Sequence, residues 1–185
     1  MTAPPARRVV TGHTSDGTSV FASDEEVPPV TIRIVPGAAF HQLWGSDEPL
    51  TLPVDGSPPP AERYFPPVGG VRFLFFTVPP EPVGRPDDLD LAEALREYDA
   101  KLPGLRAALE SGTRGMHRTG TVDFGVVLHG EIVLELDDGA ERQLGAGDTF
   151  VQHGTRHAWH NRSSEPCTIA VVVVGAERRA EDGTP

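Results

Sequence analysis

Hydrophobic and polar residues alternate along several short stretches of the chain, and this pattern predicts β-strands. Over residues 30–35 and again over residues 131–136, every second residue is apolar, as in a strand with one buried face. Other β-prone runs lie at 8–11, 19–21, 40–44, 71–78, 123–129, 149–152, 157–160 and 168–174. Turn signals such as Asp137-Asp138-Gly139 separate them, and residues 45–70, with seven prolines, predict a long surface loop. Many short strands separated by turns predict an all-β sandwich or antiparallel barrel.

One segment, residues 87–112, breaks this pattern and predicts helices. Apolar positions recur there at helical spacing, at Leu89, Ala92, Leu95 and Tyr98. Asp87 or Asp88 is a candidate N-cap, Pro103 suits the first turn of a second helix, and Gly112 suits its end. Because the segment is too short to hold its own core, we interpret it as a helical insertion or lid on the barrel.

Length and composition predict one domain. With 185 residues the chain suits a single core, which we place at 9–176, with disordered ends at 1–8 and 177–185. The net charge of −11 makes nucleic acid an unfavourable partner. No apolar run approaches the roughly 20 residues that cross a bilayer, and the first residues lack the apolar core of a signal peptide. A single cysteine, Cys167, excludes an internal disulfide and favours a cytoplasmic location.

Candidate chemistry lies on two of the predicted strands. An extended backbone places His117, Thr119, Thr121 and Asp123 on one side of the first, and His157, Trp159 and Asn161 on one side of the second. Imidazole nitrogens and carboxylate oxygens are ligands for divalent Fe, Mn, Ni or Zn, and two histidines with one carboxylate can form a facial triad. The sequence therefore predicts a divalent metal site at His117, Asp123 and His157. The same three residues are our candidate catalytic groups.

The stretch 115–161 resembles the two signature motifs of the cupin superfamily. The first motif is His-x-His, three or four residues, Glu, six residues, Gly, and here it reads His117-Arg-Thr119, three residues, Asp123, six residues, Gly130. The second is Gly, five residues, Pro-x-Gly, two residues, His, three residues, Asn. Here it begins at Gly147 and continues as Gln152-His-Gly154, two residues, His157, three residues, Asn161. The resemblance is to small single-domain cupins and covers most of the chain except 87–112. It implies a jelly-roll barrel and a homodimer.

Two departures from the motif bear on whether the site binds a metal. Thr119 stands where the family has a second histidine, and Asp123 stands where it has glutamate, which is one carbon–carbon bond longer. A metal retained by two histidines and one carboxylate and a barrel that has lost its metal are both consistent with these residues. Without metal, His117 and His157 would be hydrogen-bonded barrel histidines, or one of them would be a general base oriented by Asp123.

Two functions from different classes follow. The first is an enzyme, with or without metal, that oxygenates, decarboxylates or isomerises an aromatic, keto-acid or polyketide-like compound. The alternative is a non-catalytic module that binds a small organic ligand. In either case Thr119, Thr121, Trp159 and Gln152 are candidate substrate-binding residues, although Trp159 is also explained as barrel filling. His129, His153 and His160 are not predicted to be ligands.

Overall fold

The computed structural model describes residues 3–84 and 86–179 and is built mainly from antiparallel strands. The strands are β1 (Ala6–His13), β2 (Ser19–Val27), β3 (Ala39–Ser46), β4 (Val71–Val78), β5 (Thr121–His129), β6 (Glu131–Glu135), β7 (Glu141–Gly145), β8 (Thr149–Gln152), β9 (Ala158–His160) and β10 (Cys167–Gly175). Two helices, α1 (Leu91–Lys101) and α2 (Leu105–Ala108), lie between β4 and β5. The predicted all-β class with a helical insertion is confirmed.

The strands form two facing sheets and a separate hairpin. One sheet has five strands in the order β3-β4-β10-β5-β8, the other has three in the order β7-β6-β9, and β1 pairs only with β2. Along the central strand β10, every second residue from Cys167 to Gly175 is buried and those between are half-buried. This alternation turns one face of the five-stranded sheet inward, as the period of two requires. Among the described residues, no helix is long and apolar enough to cross a lipid bilayer.

The barrel interior divides into two apolar clusters. At one end Val127, Ile132, Cys167 and Ile169 pack closely together. The other end is larger, and there residues of the sheet pack against the helices and loops, namely Ile32, Tyr64, Leu74, Tyr98, Leu102, Leu105, Val171 and Val173. The first cluster closes the barrel. The second is covered by the insertion, and the candidate site lies beside it.

Helix α1 has its N-cap two or three residues later than the sequence predicts. Asp90 is the N-cap of α1, because its carboxylate accepts the backbone N–H of Glu93 at 3.0 Å, so neither Asp87 nor Asp88 has this role. Helix α1 buries Ala94 and Tyr98. The second helix starts after Gly104 and ends at Ala108. Pro103 therefore precedes it and Gly112 lies beyond its end.

The prediction of a strand at residues 30–35 is wrong. Val30 makes a single bridge to Phe40, and the chain then turns over residues 33–37. The apolar residues of this segment pack into the cluster beneath the insertion. Arg33 points the other way and pairs with Glu97 of α1, with Arg33 Nε donating at 2.7 Å. The alternation of apolar and polar residues here belongs to a turn packed between sheet and helix, because tertiary contacts override the intrinsic strand preference.

Three other segments also differ from the predictions. Residues 45–70 are not purely a surface loop, since Tyr64 is buried. Strand β1 begins at Ala6, so residues 6–8 are ordered by pairing with β2. Arg178 in the predicted tail donates to the carbonyl oxygens of Thr119 and Gly154, both at 2.9 Å. Of the predicted disordered ends 1–8 and 177–185, residues 1–2 and 180–185 lie outside the described residues.

Candidate functional site: a histidine pair in an apolar cavity

A cavity of about 220 Å³ lies inside the barrel between the five-stranded sheet, β9 and the helical insertion. Its lining is mainly aliphatic and aromatic: Ile32, Val35, Ala38, Phe40, Tyr64, Phe65, Leu74, Phe76, Val78, Pro79, Tyr98, Leu105, Phe150, Trp159, Val171 and Val173. Three titratable groups of the predicted site, His117, Asp123 and His157, also line it. The cavity therefore combines an apolar body with a small polar region, the usual composition of a small-molecule site.

His117 and His157 are held next to each other by the backbone. Each residue donates its N–H to the carbonyl oxygen of the other, at 2.9 and 3.0 Å, so the two form an isolated antiparallel bridge. Their ring centroids are 4.2 Å apart with planes tilted by 48°. His117 follows the insertion and His157 precedes β9, so this bridge joins the end of the insertion to the small sheet.

The hydrogen bonds of the two rings define their tautomers. Nδ1 of His117 lies 2.9 Å from the carbonyl oxygen of Gly115, and Nδ1 of His157 lies 2.9 Å from that of Thr155. A carbonyl oxygen can only accept, so Nδ1 carries the proton in each ring. In the neutral imidazole Nε2 is then the acceptor nitrogen. The pair therefore presents two basic nitrogens.

Burial keeps both imidazoles neutral. Loss of solvation lowers the pKa of His117, although its bond to Gly115 opposes the shift. For His157, burial and the neighbouring His117 lower the pKa to about 4. Two cations at this separation would repel one another in a poorly solvated space. At neutral pH both rings are bases without bound protons at Nε2.

Asp123 is a buried carboxyl group with an unsatisfied oxygen. The residue is 9% exposed, and its Oδ1 has no hydrogen-bond partner among the described residues. Burial raises the pKa of Asp123 to about 6, while interaction with the Thr121 hydroxyl opposes the shift. A buried polar atom without a partner is rare in folded proteins and is a recognised sign of a functional site.

Aromatic rings form much of the cavity wall. Trp159 contacts Phe150 with centroids 4.8 Å apart, and Phe76 with centroids 6.3 Å apart. The ring of Phe150 fits because Gly125 lies opposite it on β5, where a Cβ would come within 2.1 Å of the ring. Trp159 thus lines the cavity and packs against its aromatic neighbours, and its contact with a substrate stays a prediction.

The structure separates the other predicted substrate-binding residues from the cavity. Thr119 and Thr121 are buried and bonded to each other, with the hydroxyl of Thr121 donating at 2.8 Å. Gln152 donates to the Thr155 hydroxyl at 2.8 Å. None of the three is among the lining residues. Their hydrogen bonds link residues that neighbour Asp123 and His157 in the chain, and their role in substrate binding stays a prediction.

Sequence reasoning missed two features of the site. Tyr64 and Tyr98 come from the proline-rich segment and from α1, and burial raises the pKa of Tyr98 to about 12. An aromatic pair at positions 64–65 inside a proline-rich segment was the available signal. Arg156, next to His157, was also missed. Its Nε donates to Glu110 at 2.8 Å and its Nη1 to Asp137 at 2.9 Å, which ties the end of the insertion to the barrel.

His117, Asp123 and His157 are not arranged as the predicted metal-binding triad. Two neutral imidazoles with Nδ1 fixed by carbonyl oxygens are typical metal ligands. Within residues 3–84 and 86–179, however, no group of three or more His, Cys, Asp or Glu side chains is arranged to hold a metal ion. His117, Asp123 and His157 share the cavity without forming such a group. The chemistry that these residues offer directly is that of two bases and one carboxyl group.

An antiparallel barrel with an apolar cavity lined by two histidines is typical of the cupin fold. Comparison with known proteins agrees, since the family model for the cupin domain matches residues 107–174. Phomopsin biosynthesis cluster protein C' of Diaporthe leptostromiformis is 35% identical over 158 residues, covering 84% of this chain and 70% of that protein. The chain belongs to the cupin superfamily.

Two further similarities extend the comparison. Cupin-domain-containing oxidoreductase fogC of Aspergillus ruber is 28% identical over 155 residues. That match covers 83% of this chain and 63% of the relative, so the chain spans less than two thirds of it. Among solved structures, the polyketide cyclase RemF from Streptomyces resistomycificus has a TM-score of 0.44 at 16% identity, covering 80% of this chain and 72% of that one.

Proposed function

We propose that the protein is a cupin enzyme that moves a proton on a small organic molecule held in the barrel cavity, as in an isomerisation. The observation that carries the proposal is the pair of neutral imidazoles with Nε2 as the acceptor atom. His117 is the preferred base, because the pKa of His157 is lowered to about 4 and its ring is therefore a weaker base. The base would take a proton from carbon next to a carbonyl group.

Asp123 supplies the second half of such a transfer. With a pKa near 6, its carboxyl group exchanges a proton close to neutral pH, where a transfer group is most effective. Two groups whose pKa values are moved in opposite directions by their surroundings are characteristic of acid–base sites. The proton taken by His117 and the proton returned by Asp123 balance the reaction, so an isomerisation needs no oxidant.

Deuterium exchange tests this proposal without knowledge of the natural substrate. The protein is incubated in D2O with 2-hydroxycyclohexanone and with 1-phenylpropan-2-one, and loss of the proton next to the carbonyl is followed by NMR. We expect catalysed exchange that falls roughly a hundredfold or more in His117→Gln. His153→Gln is the matched control, because His153 is exposed and does not line the cavity. Exchange that survives in a His117→Gln, His157→Gln double variant would refute the proposal. Binding of ligands without any exchange would instead favour a binding module.

A second candidate is a metal-dependent oxidoreductase that uses divalent Fe, Mn, Ni or Zn at His117, Asp123 and His157. The fixed Nδ1–H tautomers favour it, as does the similarity to a cupin-domain-containing oxidoreductase of Aspergillus ruber. Elemental analysis of the purified protein and of His157→Ala tests it. Stoichiometric metal that disappears in the variant would support this candidate, and wild-type protein free of metal and fully active in the exchange assay would reject it.

A further inference from the structure

Asp123 indicates what kind of ligand group the cavity accepts. Its Oδ1 is buried and lacks a partner in the described part of the chain, and the residue lines the cavity. A buried acceptor left without a hydrogen bond is unfavourable, so the complementary ligand brings a donor to this oxygen. A hydroxyl group is a small neutral donor on an organic molecule that does so.

The neighbouring polar atoms also favour a ligand that donates hydrogen bonds. Nε2 of His117 and Nε2 of His157 are acceptor nitrogens, since both Nδ1 atoms donate to carbonyl oxygens. The two rings and Asp123 therefore present hydrogen-bond acceptors to the same cavity. A ligand with one or more hydroxyl groups satisfies them, whereas a ligand carboxylate would place further acceptors against them.

The cavity also lacks a positive charge for an anion. No lysine or arginine is among the lining residues in the part of the chain that the structure describes. Arg156, which is adjacent to His157, is engaged by Glu110 and Asp137. Carboxylate and phosphate recognition usually relies on such cations, often as bidentate arginine.

Size and lining define the rest of the molecule. The cavity volume of about 220 Å³ exceeds the roughly 150 Å³ of an engineered protein cavity that binds benzene. It therefore holds one ring with a few substituents. The aromatic lining, which includes Trp159, Phe150 and Phe76, suits the faces of such a ring.

We propose that the cavity selects a neutral, ring-sized molecule whose hydroxyl group donates to Oδ1 of Asp123, and that it excludes carboxylic acid anions. This inference rests on the cavity of the proposed function and narrows its substrate class, leaving hydroxylated cyclic compounds and removing keto acids. Asp123 is here a specificity-determining residue as well as the proton-transfer group.

A binding experiment with three matched probes tests the selection. Benzyl alcohol, toluene and benzoate share one ring and differ in a single substituent, and their dissociation constants are measured by ligand-detected NMR at pH 8. We expect benzyl alcohol to bind at least about tenfold more tightly than toluene, because only the alcohol satisfies the buried acceptors. We expect benzoate to bind at least about a hundredfold more weakly than the alcohol, because it adds an unpaired charge.

Variants connect this selectivity to one atom. Asp123→Asn keeps the shape of the side chain but removes its charge and adds an N–H donor, so the preference for alcohol over benzoate falls by about tenfold or more. Asp138→Asn makes the same chemical change at an exposed turn position and leaves the preference unchanged. Tight benzoate binding to the wild type, equal selectivity in Asp123→Asn, or failure of all three probes to bind would each overturn the inference. Since turnover is not measured, these outcomes are independent of whether His117 acts as a base.

Discussion

Replacing Asp123 by asparagine is expected to stabilise the protein at neutral and alkaline pH. A carboxylate in an apolar cavity without a partner for Oδ1 is better solvated in the unfolded chain than in the barrel. Asparagine has the same shape and no charge, so the variant removes this penalty. The gain in stability comes at the expense of the site, a trade-off that functional groups commonly show.

The magnitude follows from the pKa. Burial raises the pKa of Asp123 from its ordinary 3.8 to about 6, and 1.36 kcal/mol per pH unit converts this difference to about 3 kcal/mol. Because the folded pKa lies above the unfolded one, the destabilisation is absent below pH 3.8 and fully developed above pH 6. Asp123→Asn is therefore more stable than the wild type by up to about 3 kcal/mol at pH 8, and equally stable near pH 3.5.

His157 acts in the opposite direction over an overlapping pH range. Its pKa is lowered from 6.5 to about 4, so the unfolded chain binds the proton first and stability is lost as the pH falls from 6.5 to 4. This loss is also about 3 kcal/mol. In the wild type the contributions of His157 and Asp123 nearly cancel in this range. In Asp123→Asn the loss from His157 is left without its counterpart, so the variant loses stability steeply on acidification.

Urea unfolding followed by tryptophan fluorescence between pH 3.5 and 8 measures both effects. Each free energy of unfolding is compared with that of Asp138→Asn, which makes the same substitution at an exposed position, so the contributions of all other carboxylates cancel. The reasoning is refuted if Asp123→Asn is less stable than the control at pH 8. That result would show that the charged form of Asp123 has a stabilising partner in the folded protein.

Three further predictions concern the surroundings of the site. His160 is 2% exposed, with Nδ1 3.0 Å from Glu81 and Nε2 2.7 Å from Glu135. His160→Gln should therefore lower the free energy of unfolding, measured in urea, by about 3 kcal/mol. A loss below about 1 kcal/mol would contradict a structural role. Gly125→Ala should force the Phe150 ring towards the cavity, because the added Cβ would overlap that ring. We expect weaker benzyl alcohol binding and a free energy of unfolding lower by about 1–3 kcal/mol. Unchanged binding would show that the ring has room to move. A homodimer, expected from the resemblance to cupins, should appear in light scattering as a mass of twice 19.8 kDa. Phe124 is 51% exposed on the outer sheet face, and Phe124→Glu should yield the monomer. A monomeric wild type would reject the dimer.

Local pattern was sufficient to predict most of the strands. The run at 71–78 matches β4, and the runs at 149–152 and 168–174 match β8 and β10 to within a residue or so, because turn residues bound each of them. Local pattern failed where long-range packing decides conformation. Residues 30–35 alternate like a strand but form a turn against α1, and Tyr64 enters the core from a proline-rich segment.

The site was predictable in part for the same reason. Side-chain parity on extended segments brought His117, Asp123 and His157 to one cavity. Parity alone does not distinguish a side chain that faces the cavity from one that packs beside it, as Thr119 and Gln152 do. Nor does it reveal ring tautomers, which depend on carbonyl groups positioned by the folded backbone.

His117 and His157 present two unprotonated Nε2 atoms to the cavity, and nitrogen NMR of the histidine rings reports this protonation state. Protein labelled with ¹⁵N-histidine is studied at pH 7, with His117→Gln and His157→Gln providing the assignments. We expect both rings to be neutral, with the proton on Nδ1, and benzyl alcohol to perturb the Nε2 signals. A protonated Nε2 in both rings, or an imidazolium at His157, would contradict it.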